Sequence, residues 1–176
     1  GGKIMLTGNG GSCADCEHIA GEVMKGFYLK RPLRGEEKAA VHQTTDALLP
    51  ETAEILQQGL PAIALTGHAA LSTAVQNDID PLLGPAQQVV ALGKPGDVVI
   101  GISTSGNAKN AALAVSVAKA LKMHTLALTG GAGGRLKSIC EHAIVVPGSS
   151  PADVQELHLP VYHTLCAMLE AKFFTE

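Results

Sequence analysis

The sequence predicts an α/β protein whose five-stranded parallel sheet is covered by helices on both faces, a three-layer sandwich of flavodoxin type. Five short runs are apolar throughout, as strands buried on both faces are, and helical segments separate them. A turn containing Gly, and in most cases Ser or Thr, follows each run. In such sheets ligands bind beyond the carboxyl ends of the strands, where these turns lie.

The elements follow in a regular order. Strands are predicted at 4–7, 61–66, 98–102, 124–128 and 143–146, and helices at 12–27, 46–58, 68–92 in two pieces, 107–121, a short stretch ending at 140, and 153–172. Ser12 is the predicted N-cap of the first helix, with Asp15 near its positive end. Residues 28–45 are predicted to form a loop. No linker interrupts the chain, so we expect a single domain over 1–176.

Composition excludes several classes of function. The 176 residues are 46% hydrophobic and 16% charged, with a net charge of -3, which argues against disorder and against a general nucleic-acid or membrane-surface binder. Aromatic residues make up 3% and Trp is absent, which disfavours a stacking platform for single strands. No apolar run is long enough to span a membrane, and Gly1 to Leu6 do not resemble a signal peptide. We therefore expect a cytoplasmic protein with reduced thiols.

A phosphate site is predicted at the turn after the third strand. Ser103, Thr104, Ser105 and Asn107 offer neighbouring hydrogen-bonding groups at a helix start, which adds free N–H groups and the positive end of a dipole. Capping the helix would need only one such side chain, so the whole set favours an anion site. Gly8 to Ser12 form a similar turn, but neither turn carries a dinucleotide or Walker motif.

Two pairs of side chains indicate a possible metal site. His18 and Glu22 are four residues apart and share one face of the first helix. Gln155 and His163 are eight residues apart on the last helix, separated by about 80° around its axis. Imidazole and oxygen donors from two helices suit zinc, although each pair alone is weak evidence.

Cys13 and Cys16 have the spacing of a redox or zinc pair. The chain has no second such pair, because Cys140 and Cys166 are isolated. We interpret the first two as small thiols packed on a helix.

Together these motifs resemble the sugar isomerase (SIS) domain of bacterial phosphoheptose isomerases. Gly8 to Ser12 followed by His18 and Glu22 resembles the opening of that domain. The run from Gly101 to Asn107 matches its phosphate loop, and Gln155 to His158 followed by His163 matches its last helix. Asn77 and Asp78 resemble a substrate-loop pair. The match spans nearly the whole chain.

The resemblance implies isomerisation of sedoheptulose 7-phosphate to D-glycero-D-manno-heptose 7-phosphate, on the ADP-heptose and GDP-heptose routes that serve lipopolysaccharide and other cell-surface sugars. It implies one Zn²⁺ per subunit held by His18, Glu22, Gln155 and His163, with Glu22 and His163 as the acid/base pair. It also implies a cytoplasmic homotetramer with active sites at subunit interfaces. The substrate-binding residues implied are Asn9, Gly10, Gly11, Ser12, Asn77, Asp78, Ser103, Thr104, Ser105, Asn107 and Gln155.

The chain departs from the family at two points. Ala108 stands where the phosphate loop commonly has Ser, so one hydroxyl donor is lost and weaker phosphate binding is expected. The family also carries a helical segment before its first strand, whereas this sequence starts almost on that strand. That helix helps oligomer packing in the family.

Three other functions are compatible with parts of the sequence. A non-catalytic SIS protein could bind a phosphosugar, or a partner such as a replication initiator, with the same loops. The histidine, glutamate and glutamine set is the discriminating feature, since a pure binder does not need it. An isomerase of another sugar phosphate would share the phosphate loop. A redox protein would depend on Cys13 and Cys16.

Overall fold

The computed structural model, which describes residues 1–45 and 47–175, confirms the predicted parallel sheet. All neighbouring strands are parallel and their order is 2-1-3-4-5, the flavodoxin-type order. The strands are β1 (Ile4–Thr7), β2 (Ala62–Ala64), β3 (Val98–Ser103), β4 (His124–Gly130) and β5 (His142–Val146). β-Branched and other apolar side chains dominate them because both faces of the sheet are covered.

Helices cover the two faces. They are α1 (Gly11–Met24), α2 (Gly35–Thr45), α3 (Thr52–Ile55), α4 (Ala69–Asp78), α5 (Gly84–Leu92), α6 (Lys109–Ala120), α7 (Gly134–Ile139) and α8 (Pro151–Phe174). α1 and α8 pack on one face, where Leu6, Ile102 and Leu128 are buried. α5, α6 and α7 pack on the other, over side chains such as Met5 and Val99.

α1 and α8 both begin at the carboxyl edge of the sheet and pack against each other. They therefore run in the same direction, so residues at matching depths face one another along their length. At the start of α8, Ser150 accepts a hydrogen bond from the Asp153 amide, and the Asp153 carboxylate accepts one from the Ser150 amide. Pro151 occupies the first turn, where its missing N–H leaves no intrahelical bond unmade.

Three local predictions are wrong. Residues 35–45 form a helix, not a loop, although none of its residues is buried. The helix predicted at 46–58 is reduced to α3, with Asp46 outside the described residues. Ser12 does not cap α1: Gly10, with φ of 56°, is the N-cap, and Ser12 is a buried first-turn residue.

Among the described residues, no helix is long and apolar enough to cross a membrane.

Candidate active site

The candidate site lies along the seam between α1 and α8. Near the start of the seam, the side-chain amide of Gln155 packs directly on Gly11, so a Cβ at that position would displace it. Deeper along the seam, His18 packs against both Tyr162 and His163. Two pairs of predicted residues therefore face each other across the parallel helices: Gly11 with Gln155, and His18 with His163.

Three of the predicted metal and acid/base residues lie together. His18 Nε2 is 3.3 Å from a Glu22 carboxylate oxygen, and the rings of His18 and His163 meet edge to face with centroids 5.2 Å apart. The Nε2 nitrogen of His163 is buried and has no hydrogen-bond partner. The cluster thus offers a carboxylate, a half-exposed imidazole and an unpartnered imidazole nitrogen.

Glu22 is held in its ionised form. Partial burial opposes ionisation, but the hydrogen bond and charge of Lys25, helped by His18, outweigh it and lower the pKa of Glu22. Lys25 Nζ lies 3.1 Å from the second Glu22 oxygen. A carboxylate in this state can accept a proton at neutral pH.

A polar network lies behind His18. The Nδ1 nitrogen of His18 is 2.9 Å from the hydroxyl oxygen of Tyr162, whose pKa burial and the nearby Asp15 carboxyl raise to about 12. Burial also raises the pKa of Asp15. Burial lowers the pKa of the fully buried His158 and outweighs the Thr129 backbone and the Asp15 carboxyl, which favour its charged form. Tyr162 is therefore a neutral hydroxyl that fixes the orientation of the His18 ring.

The fourth predicted ligand is placed differently. Gln155 lies against Gly11, about 12 Å along the axis of α8 from the level of His163. In the described ranges, no three His, Cys, Asp or Glu side chains stand ready to hold one metal ion. The unpartnered His163 nitrogen and the His18–Glu22 contact nevertheless fit a divalent ion that accepts nitrogen and oxygen donors.

The predicted phosphate loop joins β3 to α6. Ser103 is buried, whereas the side chains of Thr104 and Ser105 are open to solvent in part. Gly106 has φ of 68°, and a Cβ there would lie 2.0 Å from the carbonyl oxygen of Gly133, so the position requires glycine. Asn107 stabilises the loop, because its side chain donates to the Ser105 carbonyl and accepts from the Arg135 amide.

A pocket of 290 Å³ opens beside this loop. Thr104 and Ser105 line one side, and Ser149, Ser150 and Val154 at the start of α8 line another. The loop and the start of α8 therefore face each other across one pocket.

The glycine turn after β1 is tied to the helix that follows the phosphate loop. The side-chain amides of Asn9 and Asn110 exchange two hydrogen bonds, of 2.9 and 2.8 Å. Gly10 and Gly11 follow Asn9 directly, and Ser12 packs against Gly8. These bonds hold Asn9 at the carboxyl edge of the sheet. The other predicted substrate-binding residues of this turn, Gly10, Gly11 and Ser12, lead into α1.

Asn77 and Asp78 are exposed at the end of α4 and hydrogen-bond to each other. Within the described part of the chain, no hydrogen bond joins them to the other predicted site residues.

The cysteines do not form a reactive pair. All four are free; Cys13 is half-buried and Cys16 is buried, where desolvation raises the pKa of its thiol. Burial also raises the pKa values of Cys140 and Cys166 to about 11. A raised pKa leaves little thiolate, which is the form that redox chemistry needs.

Sequence reasoning missed three residues that adjoin the cluster: Lys25, Phe27 and Tyr162. Lys25 follows Glu22 by three residues, a helical spacing that could have identified it. Tyr162 and Phe27 could not have been found, because their contacts depend on the packing of α8 and of the segment after α1.

Comparison with known proteins places this architecture in one family. A protein-family model described as "SIS domain" matches residues 39–130, slightly more than half of the chain. The fold and the strand-end serine loop therefore define a sugar isomerase domain.

Individual relatives make the assignment narrower. A phosphoheptose isomerase of Maridesulfovibrio salexigens is 38% identical over 174 residues, covering 99% of this chain and 72% of that protein. The structure of a phosphoheptose isomerase from Neisseria gonorrhoeae is 33% identical with a TM-score of 0.75, covering 97% of this chain and 77% of that one. One from Francisella tularensis has a TM-score of 0.76 at 33% identity, covering 95% and 75%. The chain belongs to the phosphoheptose isomerase family.

Proposed function

We propose that this protein is an aldose–ketose isomerase that converts sedoheptulose 7-phosphate to D-glycero-D-manno-heptose 7-phosphate. The observation that carries the proposal is the contact of His18 with both Glu22 and His163 across α1 and α8. This is the acid/base cluster that the family resemblance implies, and a protein that only binds phosphosugars has no need of it. The reaction belongs to ADP-heptose and GDP-heptose formation, and from there to lipopolysaccharide, in the cytoplasm.

The chemistry needs two groups that move protons. Glu22 takes a proton from C1 of the ketose, and the C2 carbonyl oxygen gains one to give a cis-enediol. His163 moves protons between the two oxygens, since one imidazole nitrogen can accept a proton while the other donates one. Glu22 then returns its proton to C2 as the C1 hydroxyl loses one to His163, which yields the aldose.

The phosphate group anchors the substrate at the end of the sugar farthest from the reacting carbons. Ser103, Thr104 and Ser105, with the amides at the start of α6, bind it, and Asn107 keeps their loop in shape. Asn9, Gly10, Gly11 and Ser12 line the same edge of the sheet. Binding energy gained at the phosphate orients C1 and C2 at Glu22 and His163.

A divalent ion, with Zn²⁺ the expected one, is part of the proposal. His18, Glu22 and His163 would hold it, and Gln155 would join them by leaving Gly11. Such an ion polarises a carbonyl and stabilises negative charge on an enediolate oxygen. When the Nδ1–H of His18 donates to the hydroxyl oxygen of Tyr162, the Nε2 lone pair of the same ring is left free to bind the ion.

Assembly as a homotetramer with sites between subunits is also proposed. Its support is Asn77 and Asp78, which are exposed and pair only with each other among the described contacts. If they bind substrate, as the resemblance implies, they do so for a neighbouring copy.

Turnover followed by NMR tests the function. The protein is incubated with sedoheptulose 7-phosphate, and in parallel with a hexulose and a pentulose phosphate, with and without chelator. Conversion of the heptulose phosphate alone supports the proposal. Conversion of another sugar phosphate instead assigns a different isomerase, and conversion of none leaves a phosphosugar-binding module.

A further inference from the structure

The segment that follows α1 is irregular but firmly held. Four consecutive amides, from Gly26 to Leu29, each donate a hydrogen bond to a side-chain oxygen from elsewhere in the chain. Gly26 donates to Gln57 at 2.9 Å. Phe27, Tyr28 and Leu29 all donate to the carboxylate of Glu170, at 2.8, 2.8 and 2.9 Å.

Glu170 is paired at the same time with a buried cation. Arg31 Nε lies 2.8 Å from a Glu170 oxygen, and both residues are almost fully buried, at 2% and 1% exposure. Arg31 also donates to the Val23 carbonyl at the end of α1, and its guanidinium lies over the ring of Phe174. Burial opposes ionisation of Glu170, but the three amides and Arg31 outweigh it and lower its pKa.

This arrangement fixes the position of one ring beside the acid/base cluster. The Phe27 ring lies with its centroid 5.4 Å from that of His163. His18 and Tyr162 approach the same imidazole from other sides, at 5.2 and 5.1 Å. Of these three neighbours, only Phe27 belongs to neither α1 nor α8, so its placement depends on the segment that Glu170 holds.

A buried ion pair is seldom needed for stability, because a well-packed apolar pair often serves equally well. An apolar pair would leave the amides of residues 27–29 without an acceptor. We propose that Glu170 and Arg31 are positioning residues for the acid/base site, which hold Phe27 against His163. This inference rests on the proposed isomerase function.

The test compares two buried carboxylates in the full chain. Glu170→Gln removes the charge that pairs with Arg31 and replaces one of the two oxygens that accept the segment's amides by an NH₂ group, which cannot accept. Asp97→Asn is the matched control: Asp97 is also buried, accepts the Lys3 and Lys94 amides and pairs with Lys3 Nζ, but its hydrogen bonds hold the turn before β3 and not the segment after α1. Melting temperature, kcat, KM and the carbon-bound ring proton signals of His163 are measured for each variant.

We expect both variants to have a lower melting temperature than the wild type. Only Glu170→Gln should lower kcat per folded molecule, by roughly ten- to a hundredfold with little change in KM, and move the His163 ring signals, because a ring current shifts with Phe27. Wild-type kcat and unmoved signals in folded Glu170→Gln overturn the proposal. If Glu170→Gln does not fold, Phe27→Leu decides: it leaves the carboxylate contacts intact, and wild-type kcat there overturns the proposal.

The two proposals fail separately. A wild-type protein without isomerase activity contradicts the proposed function. The His163 signals still decide whether Glu170 positions the site, because they should move in Glu170→Gln and stay constant in Asp97→Asn.

Discussion

The Nδ1 nitrogen of His18 lies 2.9 Å from the hydroxyl oxygen of Tyr162, and the opposite nitrogen of the same ring faces Glu22. The Tyr162 hydroxyl thereby orients the His18 ring from one side, while the other ring nitrogen faces the Glu22 carboxylate. Metal-binding histidines in proteins are commonly oriented in this way.

Tyr162→Phe tests this relationship. Loss of the hydroxyl should weaken metal binding by about ten- to a hundredfold and lower kcat/KM, because the His18 ring is no longer held in one orientation. Zinc titration by calorimetry and steady-state assays measure the two effects. Tyr28→Phe is the control, since Tyr28 is 76% exposed, and it should behave as wild type. Equal metal affinity in Tyr162→Phe and wild type would refute the orienting role.

Ala108→Ser tests the phosphate loop. Ala108 is the N-cap of α6 and provides no side-chain cap, so a serine there adds a hydroxyl beside Ser105 and Asn107. One neutral hydrogen bond is worth about 0.5–1.5 kcal/mol, so KM should fall by roughly two- to tenfold while kcat changes little. Inorganic phosphate inhibition should tighten in parallel. An unchanged KM and an unchanged inhibition constant would place the phosphate elsewhere.

Asp97→Asn makes a prediction about pH and stability. Burial opposes ionisation of Asp97, but its bonds from Lys3 and Lys94 outweigh it and lower its pKa in the folded protein. A lowered folded pKa stabilises the protein above the unfolded value, about 3.9, and that contribution is lost as pH falls. Denaturant unfolding should therefore show a large deficit for Asp97→Asn at pH 7 that shrinks below about pH 4. A deficit independent of pH would contradict the assignment.

The thiols make a prediction of no effect. Cys16 is buried with a raised thiol pKa, and Cys13 is not bonded to it. The double variant Cys13→Ser, Cys16→Ala should keep full isomerase activity in reducing and oxidising buffer alike. Loss of turnover at unchanged melting temperature would reopen a redox role.

The sequence is sufficient to predict the parallel sheet and insufficient where long-range contacts determine the structure. Apolar runs such as Val98 to Ile102 are typical of buried strands. The turn at Gly106 has a positive φ and no space for a Cβ, so it requires glycine. α2 was missed because it buries none of its residues and so has no apolar stripe, although Glu36 and Glu37 do favour its positive end.

For the candidate site, the sequence predicts which side chains of one helix lie together, but not how the two helices bring them to one another. The spacing of His18 and Glu22 determines that they meet, because both are on one helix face. Their contact with His163 follows only from the parallel packing of α1 and α8. Glu170, fifteen residues beyond Gln155, carries no local signal for its role, since its partners are backbone amides of an irregular segment.

Deuterium transfer by wild type and by Glu22→Gln tests the central claim most directly. In D₂O, sedoheptulose 7-phosphate should give an aldose that carries deuterium at C2 in proportion to the exchange of the Glu22 proton with solvent before its return. Glu22→Gln should abolish both turnover and exchange while phosphosugar binding, followed by ³¹P NMR, is retained. Glu141→Gln, far from the seam, should leave both intact. Normal turnover or normal exchange in Glu22→Gln would contradict proton transfer through Glu22.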